Sequence, residues 1–192
     1  MKQLILASAS PRRKQLLEMM GLAFRVVPAA GEEHPCADEA PDAIVKALAL
    51  AKGREVAAHV PQDTIVLAAD TIVWLDGQLL GKPKTEEEAV HMLRCLSGKT
   101  HEVYTGVALI SEGEELAEAE RTEVTFRDLT EEEIWRYVAS GEPMDKAGAY
   151  GIQGGAAAFV SRVEGDYSAV VGLPLCRLSE LLGEFGVTLF DS

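Results

Sequence analysis

The stretch Leu4-Ile5-Leu6-Ala7-Ser8-Ala9-Ser10-Pro11-Arg12-Arg13-Lys14-Gln15-Leu16-Leu17 decides how the chain begins to fold. Its apolar opening has strand character and breaks at small hydroxyl residues. Pro11, with φ fixed and no N–H to lose, suits the first position of a helix, and Ser10 before it suits an N-cap. The reading is strand, short turn, helix. Arg12, Arg13 and Lys14 then fill the first helical turn. A helix start already carries partial positive charge and unpaired N–H groups, so first turns favour Asp and Glu. Cations there make sense if a phosphate sits on the helix end. Arginines that are merely solvated are the other reading, and the spacing alone leaves both open.

Outward from this stretch the punctuation is clear. Gly21 ends the first helix, and residues 23–28 read as a short strand. Gly31-Glu32-Glu33-His34-Pro35 is a turn-rich loop, and a helical period runs from Pro41 to Ala58. Thr64-Ile65-Val66-Leu67-Ala68-Ala69 is a continuous apolar run, expected of a strand covered on both faces and ending at Asp70-Thr71. Residues 72–75 and 78–80 flank Asp76-Gly77, a hairpin signal. Thr85-Glu86-Glu87-Glu88 and Thr130-Glu131-Glu132-Glu133 are capping boxes that open two further helices. Between these helices, residues 103–110 and 118–129 predict two strands turning at Glu112-Gly113. A glycine-rich segment (144–157), a strand (158–163) and a last helix from Leu175 complete the chain. The order predicts an α/β or α+β domain with a mixed sheet and no internal repeat.

The totals narrow the function. With 192 residues, 47% of them hydrophobic, there is enough chain for one sizeable core or two lobes. No apolar run approaches the ~20 residues of a membrane span, and the N-terminus lacks the pattern of a secretory leader. Cys36, Cys95 and Cys176 are odd in number and widely spaced. They fit reduced thiols in the cytoplasm better than a disulfide frame or a zinc site. A formal net charge of -13 argues against nucleic-acid binding. An anionic small ligand then requires the few cations to converge locally.

Several residues have types suited to such chemistry. Asp70, at the end of a buried strand, stands where α/β proteins build sites. Glu33 and Asp70 together suit Mg²⁺ or Mn²⁺, with oxygen ligands and retained water, or could activate a water. Lys82 is held on a stiff loop by Pro83. Gln153, between Gly151 and Gly154-Gly155, offers an amide where the backbone can come close to a ligand. The four histidines show no metal spacing and read as surface or ordinary core residues; Trp74, Trp135 and Tyr167 read as packing residues.

Taken in order, these segments resemble the Maf family of nucleoside triphosphate pyrophosphatases. The resemblance rests on Ser8-Ala9-Ser10-Pro11-Arg12-Arg13, Glu33, Lys52, Ala69-Asp70-Thr71, Gly81-Lys82-Pro83 and Leu96-Ser97-Gly98-Lys99. It continues through Asp145-Lys146-Ala147-Gly148-Ala149-Tyr150-Gly151-Ile152-Gln153-Gly154 and Val170-Val171-Gly172-Leu173-Pro174. It covers nearly the whole chain in one register. It implies a single Maf-like domain, residues 1–192, with a mixed twisted sheet in two lobes around a central cleft, similar to inosine triphosphate pyrophosphatases. It also implies a divalent cation, Mg²⁺ or Mn²⁺, and a homodimer. Arg12, Thr71 and Gln153 resemble the branch directed at dTTP and UTP, whereas the sister branch, directed at 7-methyl-GTP, has Trp, Gln and Glu there. Gly53 departs from the family, where Ala is commoner.

The implied reaction is hydrolysis of a pyrimidine nucleoside triphosphate to the monophosphate and pyrophosphate. Ser8, Ser10, Arg12 and Arg13 would hold the triphosphate, with Lys52 and Lys82 adding charge. Glu33 and Asp70 would hold the metal and aim a water at the α-phosphorus, Asp70 serving as general base or metal ligand. Thr71 and Gln153 would meet the base. The alternatives are a nucleotide-binding regulator of cell division or cell shape with little turnover, and a house-cleaning pyrophosphatase for modified nucleotides.

Overall fold

A computed structural model of the chain describes residues 2–31 and 39–189. Glu33, His34 and Cys36 lie outside the described residues. Strand β1 (Leu4–Leu6) is buried throughout. Ser10, in extended conformation, caps helix α1 (Pro11–Met19), with Pro11 in its first turn and no acidic residue there. There follow β2 (Phe24–Val26), α2 (Pro41–Ala57), β3 (Ile65–Leu75), β4 (Gln78–Leu80) and α3 (Glu86–Leu96). Then come β5 (Thr100–Ser111), β6 (Glu114–Phe126), α4 (Glu131–Ala139), three 3₁₀ turns, β7 (Val160–Glu164), α5 (Tyr167–Val171) and α6 (Leu175–Glu184).

The strands pair in the order β2-β1-β3-β5-β6-β7, with β4 added on β3. β1 runs parallel to both neighbours, so Leu6 lies beside Val26 and Leu67. β4 is antiparallel to β3, and β7 to β6. The described residues thus form a mixed α/β fold with a seven-stranded sheet and six α-helices. Both two-residue hairpin turns, Asp76-Gly77 and Glu112-Gly113, have positive φ at both positions, which matches the twist of the strands they join. None of the described helices is long and apolar enough to cross a membrane.

The chain divides into two compact units. The first comprises Met1–Asp70, Thr105–Glu120 and Gly172–Ser192; the second comprises Thr71–Tyr104 and Arg121–Val171. In the first unit, α2 comes close to β5 at two glycines. A Cβ on Gly106 would run into the backbone carbonyl of Val45, and one on Gly53 would come within 2.9 Å of Ile110 Cδ1. Glycine at position 53 is therefore explained by local packing. In the second unit, Phe126, Tyr150, Phe159 and Tyr137 meet edge to face, with His101 among them.

Four expectations change. The strand predicted to end at Asp70 continues to Leu75. Thr71, Ile72 and Val73 are β-branched and suit a pleated, buried surface, and Asp70 finds its partner sideways on α2, so it has no need of a turn. β6 is shifted toward its turn, starting at Glu114 and ending at Phe126. Helix α5 was not expected, because five residues carry too little periodicity. The Asp166 carboxylate makes it by accepting from the N–H groups of Ser168 (2.7 Å) and Ala169 (3.2 Å). Trp135 and Tyr167, expected to pack, are 43% and 49% exposed, while Trp74 is half-buried. Cys95 and Cys176 carry free thiols.

Candidate active site

In the first unit, β1 runs into Ala7 and Ser8, both buried, before the turn to α1. The Ser8 hydroxyl accepts from the N–H of Ser10 (3.2 Å), and the Ser10 hydroxyl accepts from the N–H of Arg13 (3.5 Å). The Arg13 side chain then folds back over the turn. Its Nη1 donates to Ser8 Oγ (3.3 Å) and its Nε to the carbonyl of Gly172 (2.7 Å). Ser8, Ser10 and Arg13 thus form one braced assembly at the start of α1. Arg12, half-buried, follows the helix's first residue. A guanidinium fixed in this way is pre-organised for an anion, because less conformational entropy remains to be lost on binding. The role of the Gly172 carbonyl was hidden in the sequence. The Val170–Pro174 motif is visible there, but its contact with a residue 159 positions earlier is not.

The same unit holds a buried ion pair. Lys52, on the face of α2 toward β3, donates to Asp70 Oδ1. The Asp70 side chain is 5% exposed and that of Lys52 16%. A buried carboxylate without a partner would be strongly disfavoured, so the ammonium is what lets β3 carry an acid in its interior. The closeness of α2 to the sheet, set at Gly53 and Gly106, brings the two charges together. Three residues on, Glu55 accepts from the N–H groups of Ala30 (2.6 Å) and Gly31 (3.0 Å), and these two bonds hold its carboxyl below the ordinary range.

The second unit carries Thr71, Lys82 and Gln153. Thr71 is the residue after Asp70 on β3 and is half-buried. Lys82 is exposed on the loop after β4, ahead of buried Pro83. That loop is tied to the glycine-rich segment by the Gly148 N–H, which donates to the Gly81 carbonyl (3.0 Å). Gly148 has φ of 68° and faces Val73, with room for no side chain. Gln153 is exposed, within a tight turn closed by the Gly154 N–H on the Gly151 carbonyl (3.0 Å).

The structure therefore brings together Ser8, Ser10 and Arg13 as one group and Lys52 with Asp70 as another, and it ties the Lys82 loop to the segment that leads to Gln153. Glu33 lies outside the described residues. Among the described residues no group of three or more His, Cys, Asp or Glu side chains is arranged to hold a metal ion. A hard cation such as Mg²⁺ does not need one, since it binds through one or two carboxylates together with substrate phosphates and water. Asp70, the one buried carboxylate among the described residues, fits that mode. Tyr137 and Glu142, which hold the Gln153 turn, were missed in the sequence: neither belongs to a motif.

Comparison with known proteins agrees with the motif order. The family described as "Maf-like protein" matches residues 3–185. A protein of Bacillus cereus called dTTP/UTP pyrophosphatase is 54% identical over 187 residues, 97% of this chain and 92% of that one. Another of that name from Bacillus cytotoxicus is 56% identical over 185 residues, 96% of each. Among solved structures, a nucleoside-triphosphatase / dITP/XTP pyrophosphatase from Mycobacterium abscessus is similar over 66% of this chain and 75% of its own. It is 19% identical, with a TM-score of 0.42.

Proposed function

This chain belongs to the Maf-like protein family, and from that premise we propose that it hydrolyses dTTP and UTP to the nucleoside monophosphate and pyrophosphate. The observation that carries the reading is the braced start of α1, where Arg13 is tied to Ser8 and Gly172 with no acidic residue in the helix's first turn. Cations in a helix's first turn, where Asp and Glu are usual, support an anionic ligand in a protein whose net charge is -13.

In this reading Ser8, Ser10, Arg12 and Arg13 hold the triphosphate, and Lys52 and Lys82 add positive charge to it. Asp70 is the general base. It takes a proton from the attacking water as the water oxygen bonds to the α-phosphorus. The bridging bond between the α- and β-phosphates breaks, and its electron pair leaves with pyrophosphate. Lys52 orients the Asp70 carboxylate through their ion pair, and an ammonium with three donors can serve a carboxylate and a phosphate together. Asp70 and Glu33 would hold Mg²⁺ or Mn²⁺, which when bound neutralises phosphate charge and polarises the reacting phosphoryl group. Gln153 and Thr71 meet the base. Uracil and thymine share the O4 acceptor and N3–H donor, which one amide can pair with, and the 5-methyl of thymine needs only space. The protein acts as a cytoplasmic homodimer on free nucleotides, with no nucleic acid and no membrane involved.

The test is a panel of dTTP, UTP, CTP, dATP and GTP with Mg²⁺ or Mn²⁺, scored for pyrophosphate and orthophosphate. Pyrophosphate from dTTP and UTP is expected. Orthophosphate as the product, a preference for a purine nucleotide, or binding without turnover would each overturn the reading.

A further inference from the structure

The glycines around Gln153 are used inside the protein. A Cβ on Gly154 would overlap the Glu142 carboxylate, and one on Gly151 would come within 2.7 Å of Lys146 Cε. Neither position needs glycine for a positive φ. The turn is wrapped this closely because Glu142 and Tyr137 hold it from both ends. On one side, the Gly155 N–H donates to Glu142 Oε2 (3.1 Å). On the other, the Gly151 N–H donates to the Tyr137 hydroxyl (3.2 Å), which donates in turn to Glu142 Oε1 (2.9 Å). Both flanks of Gln153 therefore end on one carboxylate, directly at Gly155 and through a phenol at Gly151.

The clamp is itself supported. Tyr137 is buried on α4 and packs edge-on against Phe159, with ring centroids 5.2 Å apart. Burial raises its phenol well above the ordinary range, so it stays a neutral donor. The Lys146 ammonium donates to the Glu142 carbonyl (2.6 Å), and the Glu142 N–H donates to Ser140 Oγ (3.3 Å). A charged acceptor that serves both a backbone N–H and a hydroxyl makes stronger bonds than neutral pairs do. An exposed side chain on so short a turn would otherwise sample many positions, and ordering it on binding would cost affinity.

We infer that Tyr137 and Glu142 are positioning residues that hold the Gln153 turn in the conformation that reads the pyrimidine base. The inference rests on the base-reading role of Gln153 given above. It predicts that loosening the clamp weakens base recognition while leaving the phosphate chemistry in place. In a site of this kind a shift of about 1 Å costs up to about 10²-fold, so an intermediate effect of about tenfold is expected.

The experiment compares Tyr137→Phe, Glu142→Gln, Gln153→Ala and the Tyr137→Phe/Gln153→Ala double variant by steady-state kinetics on dTTP and dATP. Hydrogen exchange at the Gly151 and Gly155 amides is followed alongside. Tyr137→Phe keeps the ring packed on Phe159, and Glu142→Gln, on a partly exposed turn, gives a second route if the first destabilises the unit. For both single clamp variants, KM for dTTP should rise about tenfold with kcat within about twofold. The preference for dTTP over dATP should fall toward that of Gln153→Ala, and amide protection at Gly151 and Gly155 should fall with it. Added to Gln153→Ala, Tyr137→Phe should change selectivity no further. If Gln153→Ala loses the preference while both clamp variants keep it, this inference alone is overturned. If Gln153→Ala keeps the preference, the base-reading role of Gln153 falls, and this inference falls with it.

Discussion

His101 offers the sharpest quantitative test of the fold. It lies on β5 in the second unit and is 2% exposed, with Nε2 2.7 Å from the Tyr150 hydroxyl and its ring edge-on to Phe126 and Tyr150. Its Nδ1 is buried and meets no partner among the described residues. A proton added there would place a charge in an aromatic box, and burial accordingly pushes the imidazole pKa from 6.5 down to about 4. An unfolded chain takes up this proton near pH 6.5 and the folded protein only near pH 4. Between those values the unfolded state binds more protons, so the stability owed to a neutral His101 falls as the pH drops, and this contribution levels off below about 4. Each tenfold change in proton affinity is about 1.4 kcal/mol, so the loss is about 3 kcal/mol, or a melting temperature lower by about 10 °C. Urea unfolding followed by tryptophan fluorescence is the assay. Both tryptophans, Trp74 and Trp135, belong to the same unit as His101. Wild type should lose about 3 kcal/mol more than His101→Gln between pH 7 and pH 4. Carboxylates held low, such as Glu133 beside Arg127 at about 2 against an ordinary 4.5, lose their contribution as the pH falls from about 4.5 toward 2, but equally in both proteins, so they cancel in the difference. Parallel stability curves for the two proteins would refute the reasoning.

Other outcomes follow from the same contacts. Asp70→Asn should cut kcat at least ~10²-fold. It should also destabilise the protein by up to about 3–5 kcal/mol, since the buried Lys52–Asp70 ion pair is broken; paired kinetics and urea melts check both, and near-normal turnover would remove Asp70 from the reaction. Gly106→Ala forces α2 off β5 and should cost about 1–3 kcal/mol, lowering kcat as Lys52 moves with its helix. Gly53→Ala meets only the tip of Ile110 and should cost less, which a melting comparison of the two variants reads directly. Thr130→Ala removes the capping box at α4 and should cost about 1 kcal/mol by the same assay.

Much of the protein was legible because its signals are local. Ser10-Pro11 marks a helix start through φ and an N-cap oxygen, Thr130 and Glu133 make a reciprocal cap, and Asp76-Gly77 supplies positive φ. Each depends on residues within a few positions of one another, so the order of elements and the cationic start of α1 could be read before any contact was known. The family resemblance, spread over the whole chain, likewise needed no coordinates. Asp70 was misread as the end of a strand, because a buried acid signals a turn unless a partner is known. That partner, Lys52, lies 18 residues away and reaches it only through the close packing of α2 on β5 at Gly53 and Gly106. The anchoring of Arg13 on Gly172 and the hold of Tyr137 and Glu142 on the Gln153 turn are of the same kind. Local propensity determined which elements form and where the cationic helix start falls. Which side chain braces which was decided only once distant segments packed together, because desolvation and hydrogen-bond satisfaction depend on neighbours in space.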